Sequence, residues 1–244
     1  MRGFGDPAFY GDHYAHEYDQ TDSPDPTAAV DFLAGIFPDG GRVLELAIGT
    51  GRVAIPLAQR GVAVEGIEGS PAMVEQMRGK PGGASIPATV GDMADVAVPG
   101  PFQGTYLVFN TLFNLPSQER QADCFRNVGK ILDPGALFVI ECFIQDLTDF
   151  DRDQRVATRA LTEDSVEMEY LIHDRVAQAI TYQRVTFDAK GTTLRPLRLR
   201  YCWPSELDLM AQLAGMRLRE RFHDWDRSPF TAASRKHISV YERV

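Results

Sequence analysis

The chain is short of cysteine, of basic charge and of long apolar runs, and each shortage removes a class of protein. Its three cysteines, Cys124, Cys142 and Cys202, are scattered within apolar patterns. An odd number without metal-ligand spacing reads as reduced, buried thiols of a cytosolic protein; the alternative is a nucleophile. Lys and Arg number 25 against 34 Asp and Glu, a net charge of -9. That balance offers no basic footprint for general nucleic-acid binding. No apolar run is long enough to span a bilayer, and the acidic, polar beginning does not read as a secretory leader. The expectation is a cytoplasmic protein with neither a membrane nor a nucleic-acid partner. Internal repeats and low-complexity tracts are also missing.

The 244 residues, 44% hydrophobic and 24% charged, suit one large soluble domain, with or without an inserted subdomain. Charge is unevenly spread. Acids crowd the first segment (Asp6, Asp12, Glu17, Asp19, Asp22, Asp25), and arginines collect late (Arg195, Arg198, Arg200, Arg217, Arg219, Arg221). These arginines alternate with apolar residues, which leaves two readings open: solvated strand faces, or an anionic substrate.

Asp25-Pro26 has the pattern of an N-cap and first helical position. A helix carrying Ala29, Val30, Leu33, Ile36 and Phe37 follows, ended by residues 38–41. The first strand is predicted over Arg42 to Ala47, then a helix from Arg52 to Arg60 and a strand from Val62 to Glu68. Ser70-Pro71 caps a helix bearing Met73, Val74 and Met77. Strands over Ser85 to Val90 and Phe102 to Phe109 come next. A helix capped by Ser117 is closed by Asp133-Pro134-Gly135, and a fifth strand runs from Ala136 to Cys142. Strands alternating with amphipathic helices indicate βαβ units and a parallel sheet covered on both faces. After residue 150, segments 155–161, 165–172, 176–188 and 192–203 show period-two alternation without helices between them. The predicted organisation is a core of residues 1–150 and 204–244, with an antiparallel β cap inserted at 151–203 as a substrate subdomain. The core ends with a helix from Ser205 to Ala214 and two strands, Met216–Phe222 and Lys236–Glu242.

The most informative stretch is Val43-Leu44-Glu45-Leu46-Ala47-Ile48-Gly49-Thr50-Gly51-Arg52. A hydrophobic strand ends in a carboxylate and then a glycine turn, where a ligand can lie against backbone amides. Gly49-x-Gly51-x-x-Ala54, with Glu68 downstream, also satisfies dinucleotide-binding spacing. Three features favour another ligand. Glu45 would repel a pyrophosphate and welcome an ammonium group. Asp92, ending the third strand, can accept a hydrogen bond from an exocyclic amine. The chain closes with helix, strand, long connection and strand, and lacks a second βαβαβ half.

Together these resemble class I S-adenosylmethionine-dependent methyltransferases. The matching motifs are Glu45 to Gly51 after the first strand, Gly66-Ile67-Glu68-Gly69-Ser70-Pro71-Ala72-Met73 after the second, Gly91-Asp92-Met93 after the third, and Leu132-Asp133-Pro134-Gly135-Ala136 before the fifth. The resemblance implies a Rossmann-like α/β fold with a mostly parallel seven-stranded sheet, an antiparallel last strand and an inserted antiparallel β cap. It also implies roles. Glu45, with the backbone from Ala47 through Gly49 and Thr50 to Gly51, would hold the amino-acid end of the cofactor. Glu68 would accept both ribose hydroxyls, a charge-assisted bidentate geometry. Asp92 and the Met93 amide would read the adenine, with Met73 on its face. Tyr18, Arg52, Gly69, Gly91 and Asn110 complete the implied cofactor set. Ala47 stands where the family more usually has glycine, and Glu68 is sometimes Asp.

The implied acceptor pocket lies over Asn110-Thr111-Leu112-Phe113-Asn114. This segment is similar to that of amino-sugar N-methyltransferases of antibiotic pathways, where a histidine stands at the place of Asn114. That departure leaves their substrate open here; Asn114 can orient an acceptor but cannot act as a base. The stretch Tyr10 to Asp19 resembles the cover these enzymes fold over the cofactor, with Tyr14 and Tyr18 one helical turn apart. His13 or His16 would be the base, if one is used; the alternative is a solvated histidine. His173, Tyr182, Tyr201 and Trp203 either line the cap or form its core. Arg227 either anchors an anion or neutralises Asp226. The expected activity is methyl transfer to N or O of a small-molecule acceptor, with an anionic one left open. A dehydrogenase and a non-methylating cofactor-binding protein are the alternatives. Edges of the inserted strands leave a homodimer open.

Overall fold

A computed structural model describes residues 3–15, 18–21, 24–37 and 40–244. The chain opens with two short helices, α1 Phe9–Tyr14 and α2 Tyr18–Thr21, and then α3 Thr27–Ile36. The alternating part follows: β1 Arg42–Leu46, α4 Ala54–Gln59, β2 Ala63–Glu68, α5 Pro71–Arg78, β3 Ala88–Val90, β4 Phe102–Leu107, α6 Gln118–Ile131 and β5 Leu132–Phe143. Four strands come next without helices, β6 Gln154–Leu161, β7 Val166–Asp174, β8 Ala179–Asp188 and β9 Gly191–Arg200. Helix α7 Pro204–Leu213 and strands β10 Met216–Phe222 and β11 Lys236–Arg243 finish the chain.

Two sheets result. The larger has the order β10-β11-β5-β4-β1-β2-β3, and the smaller is β6-β7-β8-β9. Pairs β1·β2, β1·β4, β2·β3 and β4·β5 are parallel; β11 runs antiparallel to both β5 and β10. Alternation along the strands feeds two apolar layers. Leu44, Leu46, Phe138 and Ile140 join the layer shared with α6, α7 and the cap, while Val43, Tyr106, Val139 and Val240 join that of α3, α4 and α5. Burying each such leucine or phenylalanine contributes roughly 1.5–3 kcal/mol. Where the strand order turns at β1 and β4, loops leave the sheet in opposite directions and open a crevice at the carboxyl ends.

The core strands and helices follow the expected sequence of elements, with shifts at their ends. Helix α3 starts at Thr27, because Asp25 Oδ1 accepts from both the Thr27 amide (2.9 Å) and its hydroxyl (2.6 Å) in a turn before the helix. The third strand is only Ala88–Val90, since Gly83–Ser85 winds into a 3-10 turn. Helix α6, capped by Ser117 Oγ accepting from Arg120 N at 3.2 Å, passes directly into β5, four residues earlier than expected. In the cap, the strand predicted from 176 begins at Ala179, because Asp174 Oδ1 takes the Val176 and Ala177 amides and turns the chain.

Candidate active site

A cavity of about 530 Å³ lies over the carboxyl ends of the parallel strands, within the size range of small-ligand sites. Its floor is the set of loops after β1, β2, β3 and β4, one wall is the inward face of the cap sheet, and α1 with the residues before it forms the roof. The roof is seated by missing side chains: a Cβ on Gly11 would fall 2.1 Å from Ser70 Cβ, and one on Gly69 would fall 2.3 Å from the Pro7 carbonyl oxygen. Tyr14 Oη donates to the Pro196 carbonyl at 2.8 Å and so joins the roof to β9.

The loop after β1 turns through left-handed residues, Ala47 (φ 54), Gly49 (φ 57) and Gly51 (φ 76). For Ala47 that conformation costs roughly 1–2 kcal/mol, which makes the small departure from glycine a strained one. Gly51 turns away from the cavity; a Cβ there would meet Met77 Cγ at 2.6 Å. Glu68, ending β2, is 8% exposed. Its Oε2 accepts from the Gly49 amide at 2.9 Å and its Oε1 from the Ser70 amide at 2.8 Å. Burial raises its pKa, while the Ser70, Gly49 and Gly69 amides oppose the shift. Each oxygen therefore keeps acceptor capacity for a further donor. Asp92 accepts from the Ala94 amide at 2.8 Å and pairs with Arg120 Nη2 at 2.8 Å.

Glu45 is buried beneath this floor and accepts from Tyr106 Oη at 2.8 Å. Burial pushes its carboxyl up to about 8, against the Tyr106 bond and the Arg52 charge. With Thr50 and Arg52 it lines a small annexe of about 30 Å³, which shares Tyr18, Ala47, Gly49, Phe109 and Thr111 with the main cavity. Arg52 Nε is buried there without a hydrogen-bond partner, while Nη1 donates to the Pro24 carbonyl at 2.8 Å and the guanidinium lies 4.7 Å from the Phe109 ring centre. Thr50 Oγ1 donates to Asp19 at 2.7 Å, and Asp19 also pairs with Lys80 at 2.7 Å, so this loop docks α2.

The end of β4 is strained in the same sense. Phe109 (φ 61) and Asn110 (φ 63) are both left-handed, a conformation that persists only where surrounding contacts impose it. Glu141 on β5 does so: its Oε2 accepts from the Phe109 amide at 2.8 Å, its carbonyl from the Asn110 amide at 3.2 Å, and its Oε1 from Trp225 Nε1 at 3.2 Å. Asn110 Oδ1 in turn accepts from the Phe143 amide at 2.6 Å.

The cavity thus gathers Tyr14, Tyr18, Ala47, Gly49, Glu68, Gly69, Met73, Gly91, Asp92, Met93, Asn110 and Asn114. Glu45, Thr50 and Arg52 lie in the annexe, Gly51 lines neither space, and His16 falls outside the described residues. His13 does not line the cavity; its Nδ1 lies 2.8 Å from the Phe9 carbonyl. Arg227 does not line the cavity, and among the described residues it makes no ion pair with Asp226; its guanidinium lies over the rings of Phe32 and Phe222, at 4.9 and 5.7 Å. Of the cap aromatics only Tyr182 reaches the cavity, while His173 Nε2 and Tyr201 Oη lie 3.0 Å apart at the base of the cap. The three cysteines are free and buried, and burial raises all three thiol pKa values. Tyr10, which the sequence places only within the cover stretch, has its ring 4.7 Å from Tyr14 and 6.1 Å from Tyr18; Glu141 behind the floor and the lining cap residues Arg155, Arg159, Glu169 and Arg184 have no local signal in the sequence. Period-two alternation marked the cap strands, but only their register brings those charges together.

A seven-stranded sheet of this order, with β11 reversed and acids ending β2 and β3's loop, defines a nucleoside-binding methyltransferase fold. The family described as "Methyltransferase domain" matches residues 43–135. The CcbJ methyltransferase from Streptomyces caelestis is 36% identical, with a TM-score of 0.90 over 98% of this chain and 99% of that one. The cypemycin N-terminal methyltransferase of a Streptomyces species is 28% identical over 98% of this chain and 99% of its own. CalS10, an amino pentose methyltransferase from Micromonospora echinaspora solved with bound S-adenosylmethionine, shares the fold at 21% identity and a TM-score of 0.70, over 94% of this chain and 95% of that one. The chain belongs to the S-adenosylmethionine-dependent methyltransferases. The dehydrogenase alternative is thereby set aside, and the antiparallel β11 is its structural counterpart: a second dinucleotide half-fold would need parallel strands there.

Proposed function

We propose that the enzyme methylates N or O of a small-molecule acceptor held between the strand-end loops and the cap. One observation carries the reading: a single cavity is bounded on one side by the cofactor motifs and on the other by the inward face of the inserted sheet. Its volume of about 530 Å³ suits a cofactor and a small acceptor better than an extended macromolecule.

The residues fit S-adenosylmethionine. The buried, unpartnered Arg52 Nε offers a donor to the carboxylate of an amino-acid zwitterion, and the Glu45 carboxyl beside it becomes a counter-charge for the ammonium once it gives up its proton. Glu68 keeps acceptor capacity on both oxygens for ribose hydroxyls, and Asp92 and Met93 flank the place for adenine with Met73. The backbones of Ala47, Gly49, Gly69 and Gly91 give the close approach. Thr50, Gly51 and Asn110 shape and brace the turns around it, and Tyr18 covers the annexe. The bound cofactor supplies an electrophilic methyl on a sulfonium. The protein's part is then alignment, a proximity effect of roughly 7–11 kcal/mol. Tyr14 and Asn114 are assigned to positioning the acceptor, and His16 is retained as candidate base.

In this reading segment 151–203 is the substrate-binding cap, the acceptor carries negative charge, and the enzyme works in the cytoplasm. A homodimer is included, since Val156, Tyr170 and Ile172 leave the outer cap face apolar and exposed. The test is to incubate the enzyme with S-adenosylmethionine and panels of amines and phenols, following S-adenosylhomocysteine by mass spectrometry. Acceptor-dependent turnover is expected. Cofactor binding without turnover on any acceptor small enough for the cavity, but with turnover on peptides or RNA, would overturn it.

A further inference from the structure

Behind the floor of the cavity three carboxylates meet one guanidinium. Arg120 Nη2 donates to Asp92 Oδ2 and to Asp95 Oδ1, each at 2.8 Å, and its Nη1 donates to Asp123 Oδ2 at 3.3 Å. Of these four residues only Asp92 lines the cavity. The arginine stands against local preference. Its amide donates to Ser117 Oγ, the cap of α6, which puts it at the third position of that helix. A glutamate or glutamine is favoured there, and a cation in the first turn opposes the helix dipole. The carboxylates it faces supply the compensation, and two of them belong to the loop after β3.

Helix α6 grips that loop twice. Asn127, about two turns further along than Arg120, donates from Nδ2 to the Ala94 carbonyl at 2.8 Å. The grips differ in what they hold. Asn127 holds backbone, whereas Arg120 holds the side chain that borders the cavity. Asp92 is thereby fixed at both oxygens: Oδ1 accepts from the Ala94 amide at 2.8 Å and Oδ2 from Arg120. One donor on each oxygen stops the carboxylate from turning, yet leaves each oxygen able to accept from a further donor. Without the guanidinium, the Asp92 and Asp95 carboxylates now held to one nitrogen would repel each other, and Asp92 would keep only the Ala94 amide.

We propose that Arg120 is a positioning residue for base recognition: from outside the cavity it holds the Asp92 carboxylate in the orientation that accepts from the exocyclic amine of adenine. The enzyme then discriminates against a nucleoside that carries an oxygen in place of that amine, because the oxygen would meet a carboxylate that cannot turn away. This inference rests on the reading of Asp92 as the adenine contact and adds what makes that contact selective.

The experiment titrates the full chain calorimetrically with S-adenosylhomocysteine and with S-inosylhomocysteine, its deaminated counterpart. Wild type should favour the adenine compound about a hundredfold, as a site built around a hydrogen bond rejects the analogue that cannot make it. Arg120→Met keeps the apolar stem and loses every donor; the preference should narrow to about tenfold, through weaker binding of S-adenosylhomocysteine alone. Arg120→Lys restores the charge without the planar fork and should fall between, near thirtyfold. Asn127→Ala loosens the same loop at its backbone and should keep the wild-type preference within about twofold. If Arg120→Met does not fold, the narrowing in Arg120→Lys carries the reading. A wild-type preference in whichever of the two Arg120 variants is read, an equal loss of affinity for both compounds, or an equal narrowing in Asn127→Ala would overturn the proposal. Wild type that binds both compounds alike would overturn the reading of Asp92 itself, and the role of Arg120 with it.

Discussion

The floor and the cap wall of one cavity are built on opposite plans. The floor is backbone: left-handed Ala47, Gly49, Phe109 and Asn110 turn the chain, and the buried Glu68 and half-buried Glu141 fasten the turns. The cap wall is side chain: rows of arginine, tyrosine and leucine stand on a pleated sheet whose central strands, β7 and β8, have a partner on each side. A floor of that kind tolerates few substitutions, because its shape depends on special φ values and hydrogen bonds to amides. A wall of side chains can be rewritten one residue at a time without disturbing the fold. In the proposed reading, constancy resides where the cofactor goes and selectivity where the acceptor goes.

The sharpest test of this contrast is Glu68→Ala. It removes the acceptor for Gly49 and Ser70 amides together with the proposed ribose contacts, and calorimetry should show S-adenosylhomocysteine affinity falling about a hundredfold. Loss of less than about threefold would show that the floor does not hold the nucleoside through this residue. The roof comes next. In Gly11→Ala the new Cβ would overlap Ser70 Cβ, so α1 must lift, and the product Kd should rise about tenfold, through faster dissociation in stopped-flow measurements. An unchanged dissociation rate would mean that α1 does not cover the cofactor.

Glu45 gives a pH signature. Its carboxyl is held neutral by burial up to about 8, above the ordinary carboxylate value. The folded state binds this proton more tightly than the unfolded chain, so its stabilising effect is full at acid pH and is lost as pH rises towards 8. The Tm of the free enzyme should carry a falling component between pH 5 and 8 that Glu45→Gln lacks. Binding of a cationic ammonium beside Glu45 should release about one proton at pH 7, read from titrations in buffers of different ionisation enthalpy. Equal proton release by wild type and Glu45→Gln would remove Glu45 from the site. The smallest effect is expected at Ala47. Ala47→Gly relieves the left-handed strain at φ 54 but adds freedom to the unfolded chain, for a net gain of about 0.5–1 kcal/mol in urea denaturation. A loss of stability would mean that Ala47 contributes through its methyl packing.

The same contrast explains what could be read in advance. Glu45, Glu68 and Asp92 sit at strand ends inside short local motifs, so chemistry and spacing coincide in the sequence. Glu169 and Arg184 are 15 residues apart, and nothing local signals that they meet; their proximity exists only once β7 and β8 are in register. Tyr10 meets Tyr14 one turn along its own helix, but Tyr18 lies on the next short helix, and that contact has no helical spacing to signal it. Arg227 has the pattern of a loop anchor, whereas in the structure its guanidinium lies over the Phe32 ring, a contact that no local motif signals. The fold was more legible than the site, since period-two and period-3.6 patterns report burial and leave lateral neighbours unstated.

Glu141 has a reach that its position conceals. It touches no ligand space, yet it fastens the left-handed Phe109 and is itself gripped by Trp225 in the long connection before β11. The β4 end of the cavity floor is in that respect a spring held cocked from outside. Loosening the distant indole would let Phe109 and Asn110 swing toward ordinary backbone angles, and the contour of the cavity floor would change although every residue lining it stayed the same.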